Sequence, residues 1–299
     1  MRLKKGLMIG MASTVLAAAL AGCSSAQGSK GTLTIGSKNF TENILLAHMM
    51  ADVIEDQTDL KVERKVNLGG SNVAWKALLN NDIQLYPDYT GTIVANYYQE
   101  KTGTADETLK KTRELVKKDN VVFTEPFGFN NTYTLAVTQD TAAKYKLKTF
   151  SDLVKVSPNL ILGCEFEFKD RPDGYPGLNK TYGMTFKEVK GMDHGIMYRS
   201  LTDKNVDVVD AFSTDGQIKI NNLVILQDDK SFFPPYHAGP LVRQDTLTKY
   251  PEVEKALHTL EGKLTEQVMQ ELNAKVDSEG LKEETVAMDF LKSQGLIKK

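Results

Sequence analysis

The sequence predicts an α/β protein whose sheets are largely parallel. Strand-like segments alternate with amphipathic helical segments through the first hundred residues, short strands and loops dominate residues 120–240, and helical periodicity returns after Pro234-Pro235. Strand–helix–strand–helix order favours parallel pairing, because a parallel neighbour needs a crossover connection and a helix is its usual form. With 41% hydrophobic and 25% charged residues in a chain of 299, the composition is typical of a globular protein with a substantial core.

Individual elements follow from periodicity and turn residues. Asn39 and Glu42 fit a capping box for a first helix, and Ser71 is the predicted cap of a second helix after Leu68-Gly69-Gly70. The third strand is expected to end at Pro87. The predicted strands are 32–35, 62–66, 82–86, 121–123, 134–137, 160–162, 206–209 and 223–226; the predicted helices are 44–53, the segment after Ser71, the segment from Asp88 through Tyr98, 252–260, 266–276 and 283–293.

We predict two α/β lobes, with the C-terminal helices returning to the first. Lobe I comprises residues 31–131 plus 237–299, and lobe II comprises residues 132–236. Ligands of open α/β sheets bind beyond the carboxyl ends of the strands. The loops that follow the strands are therefore the candidate binding loops.

The N-terminus indicates where the protein works. Met1–Lys5 is basic, an apolar run follows, and Leu20-Ala21-Gly22-Cys23 closes the segment, which resembles a bacterial lipoprotein signal. The resemblance implies a signal peptide over 1–22, lipidation of Cys23, and a protein anchored to the cell membrane on its extracytoplasmic face. The Ser/Gly/Gln-rich segment 23–30 then reads as a flexible tether. The alternatives are an ordinary signal peptide or a membrane anchor.

Composition and motif searches weaken several other functions. The formal net charge of −2 argues against nucleic acid as a partner. The four histidines lack zinc-ligand spacing and no nucleotide-binding or nucleophile-elbow motif occurs, so we expect no metal, no cofactor and no enzymatic activity. Cys164 lies in the apolar run 160–164 and is expected to be a buried small hydrophobe. We predict a monomer.

Four motifs resemble one protein family. They are Gly36-Ser37-Lys38-Asn39-Phe40-Thr41-Glu42, Tyr86-Pro87-Asp88-Tyr89-Thr90-Gly91-Thr92, Asp210-Ala211-Phe212-Ser213-Thr214-Asp215-Gly216 and Phe233-Pro234-Pro235-Tyr236. In this order they are similar to the substrate-binding proteins of ABC transporters for glycine betaine, carnitine, choline and related osmoprotectants. The resemblance covers essentially the whole chain after the signal.

The resemblance implies a two-lobe, periplasmic-binding-protein-like (type II) fold with a ligand cleft between the lobes. It also implies an aromatic cage, with Phe212 at a position where relatives commonly have tyrosine. The cage walls it assigns are Tyr89, Tyr133, Tyr236 and Phe212; the carboxylate-side residues are Lys38, Thr92 and Arg171; Asn131 offers backbone or amide contacts, and Asn43 lines the rim.

The function implied is capture of a quaternary-ammonium osmoprotectant and its delivery to an ABC permease. A trimethylammonium group has no N–H to donate, so ring faces hold it through their negative quadrupole. Lys38 and Arg171 would grip the carboxylate of a betaine. The alternatives are a receptor for an amino acid or polyamine, and an enzyme on the same fold that uses Cys164 or a carboxylate.

Lipidation of Cys23 has a direct test. The Cys23→Ala variant should leave washed cells and appear in the medium, because it lacks the thiol that carries the lipid. Immunoblots of cell and medium fractions measure this, with Cys164→Ala as the matched cysteine control. Retention of Cys23→Ala on washed cells would contradict the anchor.

Overall fold

The computed structural model describes residues 31–298 and contains two five-stranded mixed sheets. The signal, the tether and Cys23 lie outside these residues. The first sheet has the strand order β2-β1-β3-β10-β4. Its strands are β1 (Gly31–Gly36), β2 (Leu60–Lys65), β3 (Leu85–Tyr89), β4 (Val121–Phe123) and β10 (Ala238–Arg243).

The second sheet has the order β7-β6-β8-β5-β9. Its strands are β5 (Tyr133–Val137), β6 (Ile161–Glu165), β7 (Glu188–Met192), β8 (Val208–Phe212) and β9 (Val224–Leu226). In both sheets three parallel strands are joined to two others through antiparallel pairing. The predicted α/β, two-lobe architecture is confirmed, and we call the parts built on the two sheets the first and second lobe.

Helices cover both sheets. In the first lobe they are α1 (Thr41–Gln57), α2 (Ser71–Leu79), a π-helix (Thr92–Tyr97), α3 (Ala105–Val116), α9 (Gln244–Lys249), α10 (Glu252–Leu257), α11 (Glu266–Asp277) and α12 (Glu283–Ser293). In the second they are α4 (Gln139–Tyr145), α5 (Phe150–Val154), α6 (Tyr175–Tyr182), α7 (His194–Thr202) and α8 (Gly216–Ile220), and three short 3₁₀ turns complete the set at 117–119, 157–159 and 258–260. Within residues 31–298 no helix combines the length and the apolar character needed to cross a membrane.

Helix α1 is the centre of the first lobe. Its residues from Glu42 to Ala51 are all buried, because it packs on β1, β2 and β3 on one side and on α10, α11 and α12 on the other. A helix that is apolar nearly all round belongs in a core. The C-terminal helices α10, α11 and α12 therefore pack against the first sheet's central helix.

The chain crosses between the sheets twice, at residues 124–132 and 227–237. The two crossing segments lie side by side: Asn130 and His237 form an antiparallel bridge, and the Asn131 amide donates to the Tyr236 carbonyl at 3.0 Å. The Tyr236 amide in turn donates to Asn130 Oδ1 at 2.6 Å. The predicted lobe boundaries, 131/132 and 236/237, fall within these segments and stay a prediction.

Several local predictions were wrong, and one strand was missed. Phe40, not Asn39, stands at the N-cap of α1 and makes no side-chain cap, and Gly70, not Ser71, precedes α2. Pro87 lies inside β3, where it faces Pro240 of β10; the pairing is tolerated because neither residue has an N–H to leave unsatisfied. The predicted helix from Asp88 begins too early, because Asp88 and Tyr89 belong to β3 and the helix there is the π-helix Thr92–Tyr97. Strand β10 was not predicted, because its Gly and Pro are poor strand formers.

Candidate functional site

Four aromatic rings converge where the lobes meet. Tyr89, Tyr133, Phe212 and Tyr236 are each at most 7% exposed and line one cavity. The Tyr133 ring centroid lies 4.8 Å from that of Phe212 and 5.5 Å from that of Tyr236, the latter edge-on. A fifth ring, Phe40, lies 5.1 Å from Phe212 and 6.2 Å from Tyr89.

Strand ends place these rings together. Tyr89 is the last residue of β3 and Phe212 the last of β8, whereas Tyr133 is the first of β5. Because β5 runs antiparallel to β8, Tyr133 and Phe212 are directly paired, and such pairs bring side chains into contact. Tyr236 arrives on the second crossing segment just before β10.

The rings leave little free space between them. The cavity at the centre holds about 20 Å³, which is room for about one water molecule. A trimethylammonium group is larger than this, so the rings would have to move apart to admit one. A cleft that opens and closes about the crossing segments is a hinge motion.

The remaining predicted site residues have definite positions. Lys38, Thr92, Asn131 and Arg171 line the same cavity as the rings. Asn43 does not: it is buried behind the cavity, where Oδ1 accepts the Lys38 amide at 2.7 Å and Nδ2 donates to the Pro87 carbonyl at 2.9 Å. Its position is that of a support for the Lys38 loop rather than a rim residue. Whether each residue contacts ligand stays a prediction.

Lys38 is buried and neutralised by one carboxylate. Its Nζ lies 2.6 Å from Asp88 Oδ1 and 5.1 Å from the Tyr89 ring centroid. Asp88 also accepts the hydroxyls of Tyr86 and Tyr97 at 2.5 and 2.6 Å. An ammonium has three N–H donors, and Asp88 is its one polar partner within residues 31–298, so Lys38 keeps donors for a ligand.

Arg171 differs, because its donors are all used. Nε and Nη2 bind Asp173 at 2.8 and 2.6 Å, and Nη2 also donates to Thr92 Oγ1 at 3.2 Å. Nη1 donates to Glu167 Oε1 at 3.1 Å and to Ser71 Oγ at 3.3 Å. A guanidinium has five N–H donors. Buried carboxylates hold the pKa of Arg171 well above its usual range, despite the cost of burial.

Glu167 joins the second lobe to the first. Its carboxylate accepts the Ser71 amide at 2.7 Å and the Ser71 hydroxyl at 2.9 Å at the start of α2. A negative charge is favourable at a helix N-terminus. Burial opposes the charge of Glu167, but Arg171 and Lys38 outweigh that cost and lower its pKa.

Phe212 is supported from behind by a charged cluster. The His194 ring stacks on Phe212 with centroids 5.0 Å apart and planes 17° apart. His194 lies between two carboxylates, with Nε2 3.1 Å from Asp215 and Nδ1 3.3 Å from Glu165. Burial disfavours the imidazolium, but Asp215 and Glu165 outweigh it and raise the pKa of His194 well above its usual range. The nearby Asp210 is buried, and burial together with Glu165 raises its pKa.

Sequence reasoning missed several residues of the site. Phe40 and Glu167 line the cavity, and Asp88, Asp173 and Glu42 hold the residues that line it. Glu42 was predicted to cap α1; instead its carboxylate accepts the Tyr89 hydroxyl at 2.7 Å. The sequence could have indicated three of these residues, because Phe40, Glu42 and Asp88 lie within the quoted motifs.

Cys164 is buried on β6, and burial with nearby Asp210 raises the pKa of its thiol. A reactive cysteine needs the opposite shift. The thiol is therefore part of the second-lobe core, where the sequence placed it.

Comparison with known proteins identifies the class. Residues 31–293 match the profile of the family described as the substrate-binding domain of ABC-type glycine betaine transport systems. The chain belongs to this family. It is an extracytoplasmic substrate-binding protein of ABC transport and not an enzyme. The predicted class of function and the prediction that the protein is not an enzyme are therefore confirmed.

Individual relatives agree with this placement. A Helicobacter pylori ergothioneine transport permease/ergothioneine-binding protein is 37% identical over 88% of the chain, and the chain spans only 48% of its length. A Listeria monocytogenes carnitine transport binding protein is 36% identical over 88% of the chain and 87% of its own length. A crystal structure of a glycine betaine/carnitine/choline ABC transporter is 35% identical, with a TM-score of 0.72 over 89% of this chain and all of that chain.

The cluster behind Phe212 generates a prediction. His194→Gln should lower the free energy of unfolding at pH 6 by about 3–5 kcal/mol, because it leaves buried carboxylates unpaired. The folded-state pKa of His194 lies above the unfolded one, so the stabilisation is complete below about pH 6.5 and is lost as the pH rises through the folded value. Urea denaturation across pH measures the difference.

His258→Gln is the matched control. His258 is exposed and lies 3.1 Å from the exposed Glu261, so its loss should cost under about 1 kcal/mol. Equal effects of the two substitutions at every pH would contradict the assignment of His194.

Proposed function

We propose that this protein captures a quaternary-ammonium osmoprotectant of the betaine or carnitine type and delivers it to an ABC permease. The observation that carries the proposal is the convergence of Tyr89, Tyr133, Phe212 and Tyr236 on one cavity bordered by more carboxylates than cations. Ring faces suit a cation that cannot donate a hydrogen bond. Compared with the tyrosine that relatives commonly have at this position, Phe212 retains the aromatic face and lacks only the hydroxyl.

The energetics require a second anchor. Each ring contributes about 0.5–2 kcal/mol to holding a cation, so four rings give roughly 2–8 kcal/mol before ordering costs. Micromolar affinity needs about 8 kcal/mol. A ligand that also carries a carboxylate gains the missing free energy from a cationic side chain.

Lys38 is the better candidate for that anchor. Its ammonium has one carboxylate partner, whereas every N–H of Arg171 is bound to Asp173, Glu167, Ser71 or Thr92. To grip a ligand directly, Arg171 would first have to release one of these bonds. We infer that Lys38 takes the ligand carboxylate and that Arg171 chiefly holds the lobes together through Thr92 and Ser71.

The cellular setting follows from the same proposal. We propose that the monomeric protein is tethered by lipid on Cys23 and works on the outer face of the cell membrane. The tether would keep the receptor within reach of its permease. The test of Cys23→Ala above addresses this part independently of ligand binding.

A calorimetric panel tests the ligand class. Glycine betaine, carnitine, choline and ergothioneine should be titrated beside common amino acids and a polyamine. We expect at least one of the first four to bind and the others to give no heat. Tyr89→Ala should abolish that binding, whereas Tyr145→Ala, a partly buried tyrosine away from the cavity, should leave it unchanged. Binding of amino acids or polyamine alone would overturn the proposal.

Removal of the Lys38 charge tests the anchor. Lys38→Met should weaken glycine betaine about 10–100-fold more than choline, because a hydrogen bond to a charged group contributes about 1.5–3 kcal/mol and choline has no carboxylate. Titrations of both ligands against the variant measure the difference. The exposed Lys65→Met serves as the control. Equal losses for the two ligands would show that Lys38 does not bind a carboxylate.

A further inference from the structure

We propose that Glu42 is the buried counter-ion of the ligand cation, acting through the Tyr89 hydroxyl and the Asn131 amide. The inference rests on the proposed function, since it requires a cationic ligand. Glu42 does not line the cavity, and the sequence pattern predicted a different role for it, in the capping box of the first helix. In this role Glu42 is a positioning and electrostatic residue rather than a contact residue.

Glu42 is held against the cage by three elements. It is 2% exposed, at the start of α1. Oε1 accepts the Tyr89 hydroxyl and Asn131 Nδ2, each at 2.7 Å, and Oε2 accepts Asn273 Nδ2 of α11 at 3.3 Å. The first two donors belong to side chains that line the cavity, so the carboxylate lies one side chain away from the ligand.

In the described part of the chain Glu42 has no cationic partner, unlike the acids that pair with Lys38, Arg171 and His194. Asp88 is paired with Lys38, Asp173 and Glu167 are paired with Arg171, and Glu165 and Asp215 flank His194. Within residues 31–298 no Lys, Arg or His forms an ion pair with Glu42. A buried carboxylate held only by neutral donors is poorly compensated. A cation placed among the rings would supply the missing charge.

The surroundings of Glu42 favour its neutral form in the free protein. Burial raises the pKa of Glu42 to about 7, the negative charge of Asp215 adds to the shift, and hydrogen bonds from Tyr89 and Asn131 offset it only in part. The charged groups around it are Asp88 with Lys38 behind Tyr89, Asp215 with His194 after β8, and Asp277 of α11, which accepts the Thr41 hydroxyl at 2.5 Å.

Ligand binding and protonation of Glu42 oppose each other. A cation beside the cage favours ionised Glu42, so ligand binding lowers the pKa of Glu42 below its free value of about 7. Binding then releases a proton near neutral pH, and affinity rises as the pH rises through this range. If the pKa falls by about one unit on binding, the affinity increases by up to about tenfold between pH 5.5 and 8.5.

Calorimetry on the intact protein tests the proposal without a variant. The probe is whichever of glycine betaine, carnitine, choline and ergothioneine binds in the panel above. Titrations at pH 7 in buffers of different ionisation enthalpy measure the protons released, and we expect a fraction of a proton per ligand. Carboxyl ¹³C NMR of the Glu42 side chain should show its titration moving to lower pH when ligand is added.

Glu42→Gln and Glu266→Gln form the matched variant pair. Gln at 42 keeps an acceptor for the Tyr89 hydroxyl but removes the charge, so affinity at pH 8 should fall about tenfold and its dependence on pH should disappear. Glu266 is an exposed acid that accepts the Asn130 amide one residue from Asn131; its substitution should leave both quantities unchanged. Thermal melts confirm that each variant is folded.

Failure of the proposed function and failure of the counter-ion role give different results. If none of the four probes binds, the proposed function fails and the role of Glu42 falls with it. If a probe binds the wild type with no proton release and no pH dependence, the proposed function stands and the counter-ion role is overturned. The role is also overturned if Glu42→Gln is folded and retains the wild-type pH profile.

Discussion

The antiparallel contact between the two crossing segments is the constraint on which the site depends. Asn130 and His237 form the bridge, and backbone and amide bonds tie Asn131 and Asn130 to Tyr236. These bonds align the end of one sheet with the end of the other. The ring-bearing strand ends of both lobes therefore face one small space, and motion about this contact can open or close that space without breaking either sheet.

Charge pairing explains the rest of the site. Lys38 and Arg171 are both 3% exposed, and a cation taken out of water is costly unless a carboxylate accompanies it. Asp88, Asp173 and Glu167 accompany these two cations. Four hydrogen bonds cross from one lobe to the other: the Ser71 amide and hydroxyl donate to Glu167, and Arg171 donates to Ser71 and Thr92. The same residues therefore compensate the buried cations and link the two lobes.

Three carboxylates, Asp88, Asp173 and Glu167, pair with the two cations around the cavity, and this excess of acid suits a permanently cationic ligand. An α-amino ligand would also be attracted, but it carries N–H groups that rings do not satisfy. A site of aromatic faces in an acidic surrounding therefore favours methylated over unmethylated ammonium groups. In the role proposed for Glu42, ligand capture is coupled to proton release.

Much of the fold was accessible from local sequence. The alternation at Thr32–Ile35 and the apolar run at 160–162 gave strands close to β1 and β6, because periodicity reflects which side chains are buried. The prediction failed at β10, where Gly239 and Pro240 are poor strand formers. There the pairing with β3, made more than a hundred residues earlier in the chain, overrides propensity.

By itself the sequence determined the class of fold, and three of its short motifs contain Tyr89, Phe212 and Tyr236. Only the tertiary structure decided which carboxylate neutralises which cation, and that Glu42 faces Tyr89 and Asn273 rather than capping its own helix. The reason is physical. Desolvation and ion pairing depend on distances between side chains that are far apart in the chain, and no local pattern encodes those distances.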